Sequence, residues 1–337
     1  MNLVAISCVK NEEDIIETFI RHTATFVDQI VILDNGSTDA TLDILNSIKT
    51  ENIALELLID SSIGHFQWKR MNFLMDSYAV NKYAGDWIIP LDADEFIVAE
   101  DKVSFCDILS SHKSPVKFQL MTYVPHESDD RREINPALRI RHRLQKEAHP
   151  YYKVIVPSDL LKKRPDVSLS QGNHNLVLNG KHLKAFLLDS VFLAHIPIRS
   201  PEQYASKVAL KNLQYLAMSQ REESWGGHLQ RPYELLKKDP QAFADTYREA
   251  ALYFGVKPDR TFEPKVVLDP IPYHGGDLHY TRMSSENHRV FKSIITYAEH
   301  LAASYADLSL QYDKLLRERE NKNRITKIVE YVRTIFR

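Results

Sequence analysis

Trp87-Ile88-Ile89-Pro90-Leu91-Asp92-Ala93-Asp94-Glu95-Phe96 is a short apolar run that ends in three acids. In a strand, residues i and i+2 point to the same face, so Asp92 and Asp94 are expected to leave the end of this run side by side. Two adjacent carboxylates cannot both stay ionised cheaply without a compensating charge. A hard divalent cation supplies one. Mg²⁺ or Mn²⁺ takes one or two carboxylates from a protein and its other oxygens from water and phosphate. The stretch therefore predicts a metal–diphosphate site at the carboxyl end of a sheet strand, the edge where open α/β sheets bind ligands.

Upstream of this run, strand and helix signals alternate. Leu3–Val9, Gln29–Leu33 and Ile53–Ile59 read as strands. Glu12–Phe26 has helical spacing through Ile15, Ile16, Phe19 and Ile20, with acids in its first turn. Asp34-Asn35-Gly36-Ser37-Thr38-Asp39 is a turn that leads into a helix over Ala40–Ile48, with Asp39 as its cap. Phe66–Tyr83 reads as a helix and Trp87–Leu91 as a fourth strand. Strands separated by helices predict a mostly parallel, doubly wound α/β sheet. Farther on, Val116–Val124, Tyr152–Val156 and Phe186–Ile196 are strand-like, and Glu202–Met218 is helical. Residues 222–280, rich in Pro, His and aromatics, read as irregular. From about Ser285 to Arg337 the chain reads as helical, with no internal Gly or Pro. These shifts divide the sequence into a main domain over 1–220, an irregular accessory region on the acceptor side over 221–284 and a helical extension over 285–337.

With 337 residues and 44% hydrophobic content, the chain is long enough for a large globular domain plus an appendage. A net charge of −2 gives no global signal for nucleic acid. Cys8 and Cys106 lack metal spacing and are expected as free thiols. No run approaches the roughly 20 apolar residues of a membrane span. Met1 leads straight into an apolar run without the basic-then-apolar pattern of a signal peptide. The sequence reads as a reduced, cytoplasmic protein.

Three pieces, Val4–Glu13 (VAISCVKNEE), Ile32–Thr41 (ILDNGSTDAT) and Gly85–Phe96 (GDWIIPLDADEF), each straddle a predicted strand end and so gather on one sheet edge. Together they resemble the family 2-type, nucleotide-sugar-dependent glycosyltransferases of GT-A fold. The likeness covers roughly residues 1–100 well. The segments Tyr123–Arg143, Lys153–Pro157 (KVIVP), Gln171–His174 (QGNH) and His195–Gln203 (HIPIRSPEQ) are similar to a bacterial branch of that family. The resemblance implies a Rossmann-like, mostly parallel sheet flanked by helices and a Mn²⁺ or Mg²⁺ cofactor. It also implies a nucleotide-diphosphate sugar donor.

It further implies residue roles. Lys10, Asn11 and Glu12 would border the nucleobase. Asp34 would accept from a base N–H, or serve only its own turn beside Gly36. Asp92 would meet ribose or metal, Asp94 the metal, and Glu95 would hold a neighbour or bind acceptor. Gln67, Lys69 and Arg70 would reach donor phosphate or sugar, or simply begin an exposed helix. His195 would complete the metal set, with His174 as its competitor, because neutral imidazole is a good Mn²⁺ ligand. Arg199 would neutralise phosphate or form a surface salt bridge. An inverting transferase also needs a base for the acceptor hydroxyl. The chain lacks a clear acidic motif followed by a QxxRW-like segment, which leaves Asp130, with Glu127, Asp129 and Asp189 as alternatives.

Lys322–Arg337 carries five basic residues and one acid, with apolar residues at helical spacing. Such a helix suits an anionic membrane surface, packing on the body, or a dimer. Membrane contact would fit a lipid-linked or envelope glycan acceptor. Two other classes compete. A nucleotidyltransferase would want glycines where Lys10-Asn11-Glu12 stands. A non-catalytic binding module would bind ligand without turnover. A glycoside hydrolase fits less well, because its two carboxylates come from separate elements.

Overall fold

The computed structural model describes residues 1–60, 66–216, 227–256, 261–282, 295, 298–299 and 301–319. The fold is built outward from β1 (Leu3–Val9), a strand buried on both sides. Leu3, Ala5 and Val9 enter one hydrophobic core, and Val4 and Ile6 enter the other. That two-sided burial explains why the strand reads as a continuous apolar run instead of an alternation. β2 (Gln29–Asp34), β3 (Leu55–Ile59) and β4 (Trp87–Pro90) join it in the order β3-β2-β1-β4, all parallel. The helices α1 (Ile16–Thr23) and α2 (Thr41–Ile48) cover the first face through Phe19, Ile20, Ile44 and Leu45. α3 (Gln67–Phe73) continues as a π-helical stretch, Leu74–Lys82, and covers the second with Met71, Leu74 and Met75.

Two glycines are required here. Gly36 sits at φ +65°, in the left-handed region, inside the turn after β2. Gly85 lies so close to β1 that an added Cβ would be 2.7 Å from Val4 Cγ2.

After β4 the chain turns and returns as β5 (Glu95–Val98), followed by α4 (Lys102–Ser110) and β6 (Val116–Val124). Next come α5 (Pro136–Arg139), β7 (His142–Leu144), β8 (Tyr152–Pro157) and α6 (Ser158–Lys163). A small sheet of β9 (Ser168–Leu169), β10 (Leu176–Leu178) and β11 (Lys181–His182) precedes the long strand β12 (Phe186–His195). The main sheet has ten strands among the described residues, ending in β13 (Val266–Leu268). β5, β7 and β8 run against the other strands, so the sheet is mixed but mostly parallel, with helices on both faces. This is the fold class the sequence led us to expect.

Three local readings change. α1 begins at Ile16, not Glu12, because Asn11 adopts a left-handed φ of +54° and Glu12 to Ile15 form a turn first. β5 and α4 were not anticipated. Residues expected to be irregular carry the helices α8 (Gly227–Lys238), α9 (Pro240–Asp245) and α10 (Tyr247–Leu252), which follow α7 (Pro201–Leu216). Pro232 and Pro240 punctuate that run, and the pieces between them are too short to show a hydrophobic repeat.

The described chain forms two compact units. One comprises Met1–Ser62, Phe66–Ser206 and Gln241–Glu286; the other comprises Ile63–His65, Lys207–Pro240 and Asn287–Arg337. In the first unit, the buried Glu17 carboxylate accepts N–H groups from His279, Tyr280 and Thr281 at 2.7–2.9 Å and ties the return segment to α1. In the second unit, residues 301–319 form one helix, α11. No helix of the described residues is long and apolar enough to cross a membrane. The basic segment Lys322–Arg337 lies outside the described residues. Cys8 and Cys106 are free thiols, and burial pushes Cys8 up to about 12.

Candidate functional site

The sheet register places four strand ends on one edge. Val9 pairs with Asp34, Asp34 with Ile59, and Ile6 with Pro90, so β1 to β4 all end together. The loop after β4 then folds back as β5, antiparallel to β12, with Glu95 opposite His195. The Ile196 N–H donates to the Asp94 carbonyl at 2.8 Å. This pairing brings residues a hundred positions apart together, with His195 Nε2 3.7 Å from Asp94 Oδ1.

The strand ends at Pro90, and Ala93-Asp94 form a turn. The two-residue alternation therefore does not carry through Asp92 and Asp94, and their carboxylates part. Asp92 Oδ1 accepts from Gln67 Nε2 at 2.9 Å, and its Oδ2 accepts from Lys153 Nζ at 2.7 Å. Lys153 Nζ is also 3.2 Å from Glu95 Oε1, and Glu95 Oε2 accepts the Asp92 N–H at 3.0 Å. Lys153 enters from β8 with its side chain only 1% exposed. Burial works against its charge, but Asp92 and Glu95 outweigh burial and hold its pKa above the usual lysine range. Burial pushes the Glu95 carboxyl up to about 8 even with Lys153 beside it. One ammonium cannot neutralise two carboxylates, and the less exposed one, Glu95, yields.

Asp94 turns the other way, toward His195 and Arg199. Arg199 Nε and Nη2 hold Asp14 at 2.7 and 2.8 Å, Nη2 also holds Glu12 at 2.6 Å, and Nη1 lies 4.0 Å from Asp94. Its side chain is fully buried. Burial disfavours the guanidinium charge, but Asp14, Glu12 and Asp94 overcome this and raise its pKa. Arg199 is therefore not the surface ion pair that its sequence context allowed: three acids converge on it beneath the edge.

The loops after β1 and β2 are laced to each other. Lys10 Nζ donates to the carbonyls of Asn35 and Gly36 at 2.7 and 3.2 Å, and burial lowers its pKa. The Asn11 side chain exchanges hydrogen bonds with Thr38, and the Asn11 N–H donates to Ser37 Oγ. Asp34 is fully buried and accepts both the N–H and the hydroxyl of Ser37, so it builds its own turn. Asp39 accepts the Thr41 N–H at 3.0 Å at the start of α2. Arg70 is buried and pairs with Asp60 at 2.6 Å, whereas Lys69 is exposed above the Phe66 ring. A cavity of about 510 Å³ opens beside this pair, lined among others by Leu33, Leu58, Asp60, Phe66 and Arg70. None of Asp92, Asp94, Glu95 and His195 lines it.

The other acids sort by burial. Asp130 is exposed and paired to Arg132 at 3.1 Å, whose hydrogen bonds hold its carboxyl below the usual range. Glu127 is exposed, as is Asp189 on the bulged part of β12. Asp129 is different. Its side chain is 9% exposed, Oδ1 has no hydrogen-bond partner among the described residues, and burial raises its pKa. His142 Nδ1 lies 3.9 Å from that oxygen. The loop carrying Asp129 leaves β6 two residues after Thr122, which pairs with His195. His174 points its Nδ1 at the Tyr152 carbonyl, 2.7 Å away.

Among the described residues, Asp94, Glu95 and His195 each offer one ligand atom within 4.8 Å of the others. Two carboxylate oxygens suit either Mn²⁺ or Mg²⁺, and the added imidazole nitrogen favours Mn²⁺ over the harder, oxygen-seeking Mg²⁺. Sequence reading missed Lys153 and Asp14. The signal for Lys153 was a lysine embedded in the strand run KVIVP, where a buried ammonium demands a carboxylate.

No family model matches the chain. It is similar to a protein named "Uncharacterized glycosyltransferase" from Rickettsia bellii, 25% identical over 132 residues, which is 39% of this chain and 41% of that protein. A protein of the same name from Rickettsia felis is 26% identical over 131 residues, covering 38% of this chain and 41% of that one. The chain thus spans about two fifths of the length of the curated relatives it matches. Among solved structures, S. aureus TarS 1–349 in complex with UDP aligns over 70% of this chain and 71% of its own, with 16% identity and a TM-score of 0.33. The mannosyltransferase PcManGT from Pyrobaculum calidifontis, in complex with GDP-Man and Mn²⁺, aligns over 93% and 88%, with 12% identity and a TM-score of 0.37.

Proposed function

We propose that this chain is a divalent-metal-dependent glycosyltransferase that moves a sugar, with inversion, from a nucleotide-diphosphate sugar to a glycan or lipid-linked acceptor on the cytoplasmic side. The observation that carries the reading is the convergence of Asp94, Glu95 and His195 at the carboxyl edge of the sheet, beside Asp92 and the laced β1 and β2 loops. Relatives named as glycosyltransferases support it.

In this reading Asp94 and His195, with Glu95, hold Mn²⁺ or Mg²⁺. When bound, the ion supplies Lewis-acid stabilisation to the charge growing on the leaving diphosphate. Lys153 and Gln67 fix the Asp92 carboxylate from both sides, which orients it toward the donor ribose. Arg199 holds Asp14 and Glu12 beneath the nucleotide loop and keeps Asp94 facing His195. Asp129 takes the acceptor hydroxyl proton. Its burial, raised pKa and unpaired Oδ1 suit a base better than the exposed, ion-paired Asp130.

Thermal shift against UDP, GDP, CMP and dTDP, each with and without Mn²⁺, tests the reading. One nucleotide should stabilise the protein only with metal, and Asp94→Ala should abolish that shift and sugar transfer without unfolding the chain. Asp129→Asn should lower turnover on the order of 10²–10⁴-fold, with Asp130→Asn near wild type. Full activity in Asp94→Ala would refute the metal assignment, and incorporation of nucleoside monophosphate would make the protein a nucleotidyltransferase.

A further inference from the structure

Among the described residues, helix α11 leaves a regular apolar seam uncovered. Leu301, Tyr305, Leu308, Tyr312 and Leu315 recur at spacings of four, three, four and three, and each is between 43% and 64% exposed. A seven-residue repeat of this kind, held here over two heptads, matches the a/d seam of a coiled coil. Tyr305 and Tyr312 stand at a positions, and Leu301, Leu308 and Leu315 at every d position. Beyond Ala302 no residue of the helix is fully buried. A helix of this length is marginal in water by itself, and most helical stability comes from packing an apolar face.

We propose that this seam pairs with the same seam of a second copy of the chain, forming a parallel two-stranded coiled coil. Leucine at each d position is half of the two-stranded pattern, with tyrosine at a in place of a β-branched residue. A self-complementary stripe on one helix satisfies a two-fold axis without any further partner. The flanks fit a helix better than a lipid surface. Residues 301–319 carry three acids (Asp307, Asp313, Glu318) and three bases (Lys314, Arg317, Arg319), so the helix lacks the basic excess that draws amphipathic helices to anionic membranes. None of these charges falls between Leu301 and Leu315 on the seam itself. The pairing is independent of the transferase reading.

The test uses the full chain and its mass in solution, by light scattering and sedimentation, over a wide range of concentration. The expected result is a species of twice the chain mass that dissociates on dilution. Leu308→Glu combined with Leu315→Glu should return it to one chain mass with unchanged far-UV circular dichroism outside the lost coiled coil. Leu310→Glu, exposed on the same helix but off the seam, should leave the dimer intact. In a Cys106→Ser background, Leu308→Cys should form a disulfide-linked dimer under mild oxidant, because d positions of parallel, in-register helices adjoin. A wild type of one chain mass at every concentration overturns the proposal, as it would if residues 320–337 of the same chain covered the seam. So does a dimer that survives the double glutamate variant or is lost equally in Leu310→Glu. A dimer that Leu308→Cys cannot cross-link overturns the parallel arrangement.

Discussion

Replacing Lys153 by Met tests the electrostatic centre of the site, because it removes the ammonium while keeping a similar stem volume. In the wild type that ammonium lies 2.7 Å from Asp92 and 3.2 Å from Glu95, and both it and Glu95 have side chains 1% exposed. Removing one member of a fully buried pair typically costs about 3–5 kcal/mol. Two features lower the figure here. Asp92 is about a third exposed and keeps its bond to Gln67, so water screens much of its loss. Glu95 escapes by staying protonated, since burial already lifts its pKa to about 8. We expect a loss of about 2 kcal/mol at pH 7. The pH dependence is the sharper signature. A carboxyl whose folded pKa exceeds its unfolded value stabilises the fold at low pH, and that stability drains as pH rises through the folded pKa. In the wild type the drain stops near pH 8; without Lys153 the Glu95 pKa climbs further, so the loss continues at about 1.4 kcal/mol per pH unit. Urea unfolding at pH 7 and pH 9 reads this directly. The gap between wild type and Lys153→Met should widen at pH 9, and adding Glu95→Gln should abolish the widening. A gap equal at both pH values, or no loss at either, would refute the idea that Lys153 is the resident counter-charge of the acidic pair.

Two further outcomes follow from buried ionisable groups. Arg199→Lys keeps the charge but cannot span Glu12, Asp14 and Asp94 with one ammonium, so a loss of about 2 kcal/mol is expected by denaturant midpoint; an unchanged midpoint would show that the fork is dispensable. His22 is buried against Ile97 O at 2.8 Å and ringed by Phe26, Phe96, Tyr273 and His274, and burial lowers its pKa from 6.5 to about 4. A base with a depressed folded pKa gives stability that is present above pH 6.5 and lost as pH falls through about 4. That is on the order of 3 kcal/mol. A melting-temperature series should therefore fall across this window and flatten in His22→Gln, and a parallel decline in the variant would assign the acid loss elsewhere.

The sequence alone carried the residues up to the end of β4 to their fold. The runs at Leu3–Val9, Gln29–Asp34 and Trp87–Pro90 are apolar on both faces, and only a strand covered by helices on both sides can be so. The turn Asp34–Asp39 was legible for a local reason: Gly36 must reach positive φ, and Asp34 and Ser37 close it over three residues. The acid-rich end of β4 likewise predicted a concentration of carboxyl groups at the sheet edge, and Asp94 and Glu95 are buried there. What the sequence could not tell was which side chain each acid meets. Asp92 and Asp94 are two residues apart, yet a turn sends one to Lys153 on β8 and the other to His195 on β12. Those partners lie 61 and about a hundred residues away and arrive through the registers of antiparallel pairs, β4 with β8 and β5 with β12. Periodicity reports only the faces of an element, whereas register between distant strands is set by the packing of the whole sheet. The same holds for Asp129 and Asp130. They are neighbours of identical chemistry in sequence, and only the folded loop separates a half-buried, raised carboxyl from an exposed one held down by Arg132.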